Sequence, residues 1–372
     1  MEDTRQTHLS TVRSIVVKLG TQLLSDKSRQ LDGPFIARIA AQVAALRERG
    51  LQVTIVSSGA IGAGLRELDL AKRPTDLATL QAVAAVGQRR LMDTWAAAFE
   101  PFKLPVAQIL LTREDVDRRA RFLNLRNTIA AIHDLGAVPI INENDTVSTD
   151  ELVRISFGDN DILAAVVAQT LGADLLVLLT VVDGVLDADG KPVRLVASAA
   201  DAQRLVRAEK SALGKGGMTS KITAAHTVTQ SGECLVVADG RTPDVLARIL
   251  AGEEVGTLFL PAPRRRQARL RWIDSARAAG AIVVDAGAAA ALVERNRSLL
   301  PAGITRIEGE FAKGDLVDIK NPAGQTIARG LTNYAHTVVE SICGKKTAAV
   351  RALLGEAAYD EVVHRNNLVV AR

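Results

Sequence analysis

The sequence predicts an α/β protein, a mostly parallel sheet sandwiched by helices, followed by a small β-rich domain. Three observations predict it. Over the first two thirds of the chain, short aliphatic runs alternate with longer amphipathic stretches. Each aliphatic run ends in a small or polar residue. Near Pro261 the texture changes to shorter apolar segments broken by Gly and Pro, as in GDLVDIKNPAGQTIARG. Runs that are apolar throughout suit strands buried on both faces by crossover helices, the arrangement of a parallel sheet.

The 372 residues are 48% hydrophobic and 24% charged, with 28 Gly and 11 Pro, an ordinary globular composition that excludes collagen and disorder. The length suits two domains, expected at residues 1–262 and 280–372 with a linker at 263–279. Cys234 and Cys343 stand far apart without metal-ligand spacing, so they read as small buried apolar residues of a reducing compartment. A formal net charge of +4, from 46 Lys plus Arg against 42 Asp plus Glu, argues only weakly for a polyanionic partner. The start, MEDTRQTHLSTVRS, has no apolar core, and no apolar run approaches the roughly 20 residues needed to cross a bilayer. A cytoplasmic protein with no membrane partner is the expectation.

Taken in order, the first strand is Ser14 to Leu19, an aliphatic run that Lys18 interrupts just before Gly20. A lysine is costly to bury unpaired, so Lys18 either snorkels or serves a ligand. A helix-period segment, Pro34 to Glu48, follows. The second strand, Gln52 to Ser57, continues through Ser58 and Gly59 into a helix; such a junction either exposes helix NH groups to an anion or is an ordinary N-cap. Leu77 to Phe99 is a long helix, and Pro105 to Leu111 and Ala137 to Ile141 are the next strands. After the last of these comes NENDTVSTDEL, and then FGDNDILAA opens a helix. Asn142, Glu143, Asn144, Asp145, Asp159, Asn160 and Asp161 are more polar residues than turns and caps require, which marks a ligand site. Leu175 to Leu179 is a strand ending at Thr180. GKGGMTSKITAAH then carries Lys215 and Lys221 through a glycine-rich stretch into a helix, either a loop that closes over polyphosphate or a plain surface loop. Glu233 to Val237 is the last strand before the change of texture. The arginines of PAPRRRQARLRW (Arg264, Arg265, Arg266, Arg269 and Arg271) suit a solvated linker or interdomain salt-bridge surface, with nucleic-acid contact as the alternative.

Several familiar signatures fail. The nearest approach to a Walker loop runs from Gly184 through Gly190 to Lys191, has one residue too many and continues with Pro192, so it reads as a turn. The glycines of GAIGAG are not in dinucleotide-binding order. His8, His133, His226, His336 and His364 do not cluster, and no serine sits in a nucleophile elbow. Triad hydrolysis and zinc chemistry drop out.

What remains suits phosphoryl transfer, which demands positive charge and positioning more than covalent help from the protein. Lys18 and Lys221 would supply the charge, with Asp161 holding both. A carboxylate acceptor, with a reference pKa of about 4.3 for glutamate, is already ionised at pH 7 and needs no general base.

Together, VVKLGTQLL, SSGAIGAG, QILLTRED, RFLNLRNT, VPIINENDTV, FGDNDILAA and GKGGMTSK resemble the glutamate 5-kinases of the amino acid kinase family, in family order and over nearly the whole chain. From about Gly280, AGAIVVDAGAAAALVERNRSLLPAGITRIEGEFAKGDLVDI is similar to a PUA domain. The resemblance implies ATP-dependent phosphorylation of the L-glutamate side chain to γ-glutamyl phosphate, the first step of proline biosynthesis, with Mg2+, inhibition by proline, and a homo-dimer or homo-tetramer. It implies that Lys18, Lys221, Asp161 and Asp159 form the catalytic centre. Ser58, Asp145 and Asn160, with Asn142 and Asn144 nearby, would bind glutamate. Thr180, Val181 and the loop of Lys215, Gly216, Gly217, Met218, Thr219, Ser220 and Lys221 would bind the nucleotide along with Lys18; no side chain is assigned to the metal. Lys215 and Val181 depart from the family, which usually has Thr and Asp there. Two alternatives stand beside this reading: RNA contact through the PUA domain, and a related kinase acting on another carboxylate or carbamate.

Overall fold

A computed structural model describes residues 2–26, 30–117, 119–147, 160–187, 189–198, 201, 217–262, 273, 276–295, 297–355 and 359–371. The chain divides into two compact units, residues 1–265 and 266–372. The arginine-rich stretch 264–271 lies outside the described residues.

In the first unit the strands are β1 (Ser14–Leu19), β2 (Gln52–Ser57), β3 (Val106–Leu111), β4 (Val138–Glu143), β5 (Leu175–Thr180), β6 (Val185–Leu186), β7 (Pro192–Val193), β8 (Leu195–Val196), β9 (Cys234–Asp239) and β10 (Thr257–Phe259). The helices are α1 (Glu2–Leu9), α2 (Thr21–Leu24), α3 (Gly33–Glu48), α4 (Ala60–Glu67), α5 (Leu77–Phe99), α6 (Arg113–Asp117), α7 (Arg119–Asp134), α8 (Asn160–Leu171), α9 (Gly217–Gln230) and α10 (Val245–Leu250). One sheet runs β3-β4-β2-β1-β5-β9-β10-β8. Its ladders are parallel from β3 to β9, and β10 turns antiparallel against β9. The segment around Gly184 and Lys191 forms the small hairpin β6–β7, a turn, in keeping with its failure as a phosphate loop.

Alternation along each strand feeds two cores. Ile15, Val17 and Leu19 pack with Ile36, Ile39 and Val43 of α3, Leu91 and Trp95 of α5, and Ile249 of α10. Val16 turns the other way, toward Leu163 and Val167 of α8 and Ile222 and Ala225 of α9. Lys18 shares the face of Val16 and so points to the α8 side.

The fourth strand is longer than the sequence suggests. An aliphatic count ends it at Ile141, but the ladder continues, with Asn142 opposite Leu110 and Glu143 opposite Leu111. Strand β3 stays apolar through Leu111 and offers its backbone to two more residues. Asn142 and Glu143 are therefore buried strand residues rather than loop. Cys234 is buried, as expected, whereas Cys343 is half-buried and donates its thiol hydrogen to the Ile304 carbonyl at 3.1 Å.

Helices α4 and α5 meet backbone to backbone. A Cβ added at Gly87 would lie 1.8 Å from the Ala60 carbonyl oxygen, and one at Gly64 would lie 1.9 Å from that of Val83. Gly59, at φ +104°, turns the chain from β2 into α4, a conformation that any side chain would strain.

In the second unit, β11 (Gly280–Val284), β12 (Ile304–Glu308), β13 (Leu316–Lys320), β14 (Thr326–Thr332) and β15 (Val363–Val370) form one sheet in the order β12-β11-β13-β14-β15. Only the β11–β13 ladder is parallel. Helices α11 (Ala286–Val293), α12 (His336–Ile342) and α13 (Thr347–Leu354) accompany it. Ile282, Val284, Val317 and Ile319 pack with Val339 and Ile342 of α12 in its core. Among the described residues no helix is long and apolar enough to cross a membrane.

Two outcomes follow from this packing. Gly87→Ala forces α4 and α5 apart and should cost about 3 kcal/mol. Gly62→Ala, where an added Cβ meets nothing within 4 Å, should be neutral or slightly stabilising by its helix propensity; denaturation midpoints of the two variants check both. His133 at the end of α7 lies 3.0 Å from the Thr54 hydroxyl. Burial, with the Arg47 guanidinium adding to it and Asp134 opposing, pushes its imidazole down to about 4. An unfolded histidine protonates near pH 6.5, so the unfolded state takes up the proton first and stability falls as pH drops from 6.5 toward 4. His133→Gln should flatten that part of the curve of melting temperature against pH.

Candidate active site

The carboxyl ends of β1, β2, β4 and β5 lie at one edge of the sheet, where an open α/β sheet collects ligands. A cleft of about 870 Å3 opens there. Its walls are the ends of these strands, the first turns of α4 and α8, the short helix α2, and the start of α9.

At its floor Asp161, in the first turn of α8, has no exposed surface. Its Oδ1 lies 2.6 Å from Lys18 Nζ and its Oδ2 lies 3.0 Å from Lys221 Nζ. The Ser220 hydroxyl donates to the same Oδ2 at 3.2 Å. Burial alone would raise the Asp161 carboxyl, but the two ammonium groups outweigh it and hold it below the ordinary carboxylate range. Asp161 is therefore ionised at neutral pH, and the three side chains carry a net charge of +1 at the cleft floor. Two cations on one carboxylate leave positive charge for a third, anionic partner.

The neighbouring Asn160 points elsewhere. Its Nδ2 donates to Ser58 Oγ at 2.7 Å, to the Ser57 carbonyl at 3.1 Å and to Asn142 Oδ1 at 3.2 Å. Asn142 in turn donates to Gln88 Oε1 at 2.8 Å and accepts from the Glu143 amide at 2.9 Å. Trp95 Nε1 donates to Ser57 Oγ at 3.1 Å. Helix α5 thus reaches the ends of β2 and β4 from behind and fixes the side chains that face the cleft.

Of the residues singled out from the sequence, Lys18, Ser58, Asn142, Asp145, Asn160, Thr180, Val181, Met218 and Lys221 line this cleft, with Asp161 beneath them. Asn144 does not: its amide donates to the Leu111 carbonyl at 2.8 Å and its side chain accepts from the Thr146 hydroxyl. Gly217, Thr219 and Ser220 belong to the first turn of α9 but do not line the cleft either, although Ser220 reaches Asp161. Asp159, Lys215 and Gly216 lie outside the described residues. Gln88 and Trp95 were missed in the sequence. The available signal was a glutamine in the buried stripe Ala84, Gln88, Leu91, Trp95, where helical spacing asks for an apolar residue. Arg73, also a cleft residue, stands in a loop without any pattern.

Comparison with known proteins fits this geometry. The amino acid kinase family model matches residues 13–238, and the PUA domain model matches residues 280–354. The glutamate 5-kinase of Geobacter sulfurreducens is 45% identical over 370 residues, covering 97% of this chain and 98% of the relative. The glutamate 5-kinase of Herpetosiphon aurantiacus is 46% identical over 363 residues, 95% of this chain and 97% of that one. The N-acetylglutamate synthase of Neisseria gonorrhoeae shares the fold, with a TM-score of 0.51 at 16% identity over 70% of this chain and 62% of that one. The chain belongs to the amino acid kinase family, on its glutamate 5-kinase branch, and carries a PUA domain behind the kinase domain.

Proposed function

We propose that this chain transfers the terminal phosphoryl group of ATP to the side-chain carboxylate of L-glutamate, giving γ-glutamyl phosphate, the first step of proline biosynthesis. The observation that carries the reading is the buried Asp161 gripping Lys18 and Lys221 from two sides at the cleft floor. Both ammonium groups border the cleft. Lys18 contacts the phosphates of ATP, and Lys221 stabilises charge on the phosphoryl group in flight. Asp161 positions both and stays ionised throughout.

Ser58 and Asn160, already joined by a hydrogen bond at 2.7 Å, hold the acceptor together with Asp145, and Asn142 locks Asn160 in place. Thr180, Val181 and the start of α9 receive the nucleotide, as do Lys215 and Gly216, and Asp159 belongs to the catalytic centre. The acceptor is a carboxylate and arrives ionised, so no side chain has to remove a proton.

Magnesium belongs to the same reading. Among the described residues no group of three or more His, Cys, Asp or Glu side chains could hold a metal. Mg2+ would enter on phosphate oxygens of ATP and water, as it usually does, and Lys18 and Lys221, by holding the phosphates, would hold it in place. When bound it neutralises phosphate charge. Inhibition by proline and a homo-dimeric or homo-tetrameric state are also part of the proposal, as is a cytoplasmic location.

The direct test is Mg2+- and ATP-dependent hydroxamate formation with L-glutamate, with L-aspartate and N-acetyl-L-glutamate as competing acceptors. Glutamate-specific product that falls when L-proline is added is the expected result; an inert glutamate overturns the substrate assignment. Lys221→Met should lower kcat by about 100- to 1,000-fold, the range for losing one preorganised charge donor. It leaves Asp161 paired with Lys18, so the melting temperature should move little. Unchanged turnover would remove Lys221 from the mechanism. Asp161→Asn strands two facing ammonium groups, and both kcat and stability should drop.

A further inference from the structure

The cations that line the cleft among the described residues are Lys18, Arg73 and Lys221. Lys18 and Lys221 are both held by Asp161 and stand where the phosphoryl group crosses. L-glutamate, however, carries a second carboxylate, on its α-carbon, at the end of the molecule remote from the reacting one. A site that takes in that carboxylate with its charge intact needs a further cation or a set of donors on the acceptor side.

Arg73 stands on that side. It follows α4, whose first residues continue directly from Ser58 and Gly59, and it lines the cleft together with Ile61 and Leu65 of that helix. The residues of the nucleotide side come instead from β5 and α9. The loop that carries Arg73 is tethered at both ends. Helices α4 and α5 touch at Gly64 and Gly87, and Asp76 caps α5 by accepting the Thr79 amide at 2.9 Å. Pro74 follows Arg73 and disfavours the helical region for its backbone, so Arg73 stays in the loop between α4 and α5. A guanidinium on a short, doubly anchored loop presents a planar pair of donors suited to a carboxylate.

We infer that Arg73 is a specificity-determining residue that binds the α-carboxylate of the acceptor amino acid, and so separates glutamate from chains that carry only the reacting carboxylate. The inference rests on the proposed glutamate kinase activity. It adds to the roles proposed above for Ser58, Asp145 and Asn160 in holding the acceptor.

The test uses 4-aminobutyrate, which is glutamate without its α-carboxylate, as a second acceptor in the hydroxamate assay. Arg73→Gln in the full-length protein should lower kcat/KM for L-glutamate by about 10- to 100-fold, the worth of one charge-assisted contact. The loss should sit in KM, with the KM of ATP unmoved. The kcat/KM for 4-aminobutyrate should stay where it is in the parent protein, so the preference for glutamate collapses. Arg73→Lys should recover part of it. Equal losses for both acceptors would show that Arg73 only supports the cleft, and a rise confined to the KM of ATP would move it to the nucleotide; either overturns the inference. An active parent protein with an unaffected Arg73→Gln variant overturns the inference alone, whereas a parent inert toward glutamate overturns the activity reading and the inference with it.

Discussion

A carboxylate with no exposed surface is an expensive thing to keep ionised, and Asp161 keeps its charge because ammonium groups reach it from separate elements. That demand disciplines the fold around it. Lys18 must project from a strand on the face that α8 covers, which the alternation of Val16 and Lys18 against Val17 and Leu19 provides. Strand β1 must lie inside the sheet, between β2 and β5, so that its end meets the start of α8. Helix α9 must begin close enough for Lys221 to arrive from its second turn. Loss of either lysine leaves Asp161 with one partner, whereas loss of Asp161 leaves two facing ammonium groups without their shared counter-ion. Stability and the proposed chemistry therefore meet at Asp161.

The start of α8 then performs a second task with the adjacent residue. Successive helical residues diverge by about 100°, so Asp161 turns down to the lysines while Asn160 turns to Ser58 and Asn142. One rigid helix start therefore sets the spacing between the two lysines and the Asn160 amide, the groups proposed to bind the phosphoryl group and the acceptor. The opposite wall is set with equal firmness by the glycine contact between α4 and α5, which places Ser58 through its covalent link to α4. Gln88 and Trp95 join the two walls through Asn142 and Ser57. An arrangement of this kind holds reacting groups in place before substrate arrives, which is where most of the rate of phosphoryl transfer has to come from when the protein supplies no covalent chemistry.

Much of this was legible in the sequence, for physical reasons that differ by element. Parallel strands buried on both faces leave unbroken aliphatic runs, so β1, β2 and β5 stood out. Their polar ends stood out as well, because a lysine or a run of Asn and Asp beside such strands contradicts burial unless something compensates. Where the sequence misled, hydrogen bonding outranked hydropathy: β4 continues through Asn142 and Glu143 because β3 offers partners, and polar side chains pair in a ladder as well as apolar ones do. Asn144 looked like its neighbours in the same polar run, but its side chain is taken up by Thr146. Gln88 was hidden because a single polar residue in a helical stripe is easily absorbed into the stripe. Arg73 was invisible for a different reason: a loop has no period, and only the three-dimensional course of α4 and α5 brings it to the cleft.

Among the described residues no histidine lines the cleft, which suits the chemistry proposed for it. When a hydroxyl accepts a phosphoryl group, its proton must go somewhere as the bond forms, and a base earns its place. A carboxylate acceptor has already lost its proton, and what opposes reaction is the approach of one anion to another. The remedy for that is fixed positive charge, and a buried Asp161 holding two lysines would provide it, the lysines in turn holding the carboxyl below the ordinary carboxylate range. A histidine in the same place would lose its charge near neutral pH. On the proposed reading, the charge arrangement rather than any single side chain selects an anionic acceptor, and the selection among anionic acceptors falls to the groups on the acceptor side of the cleft.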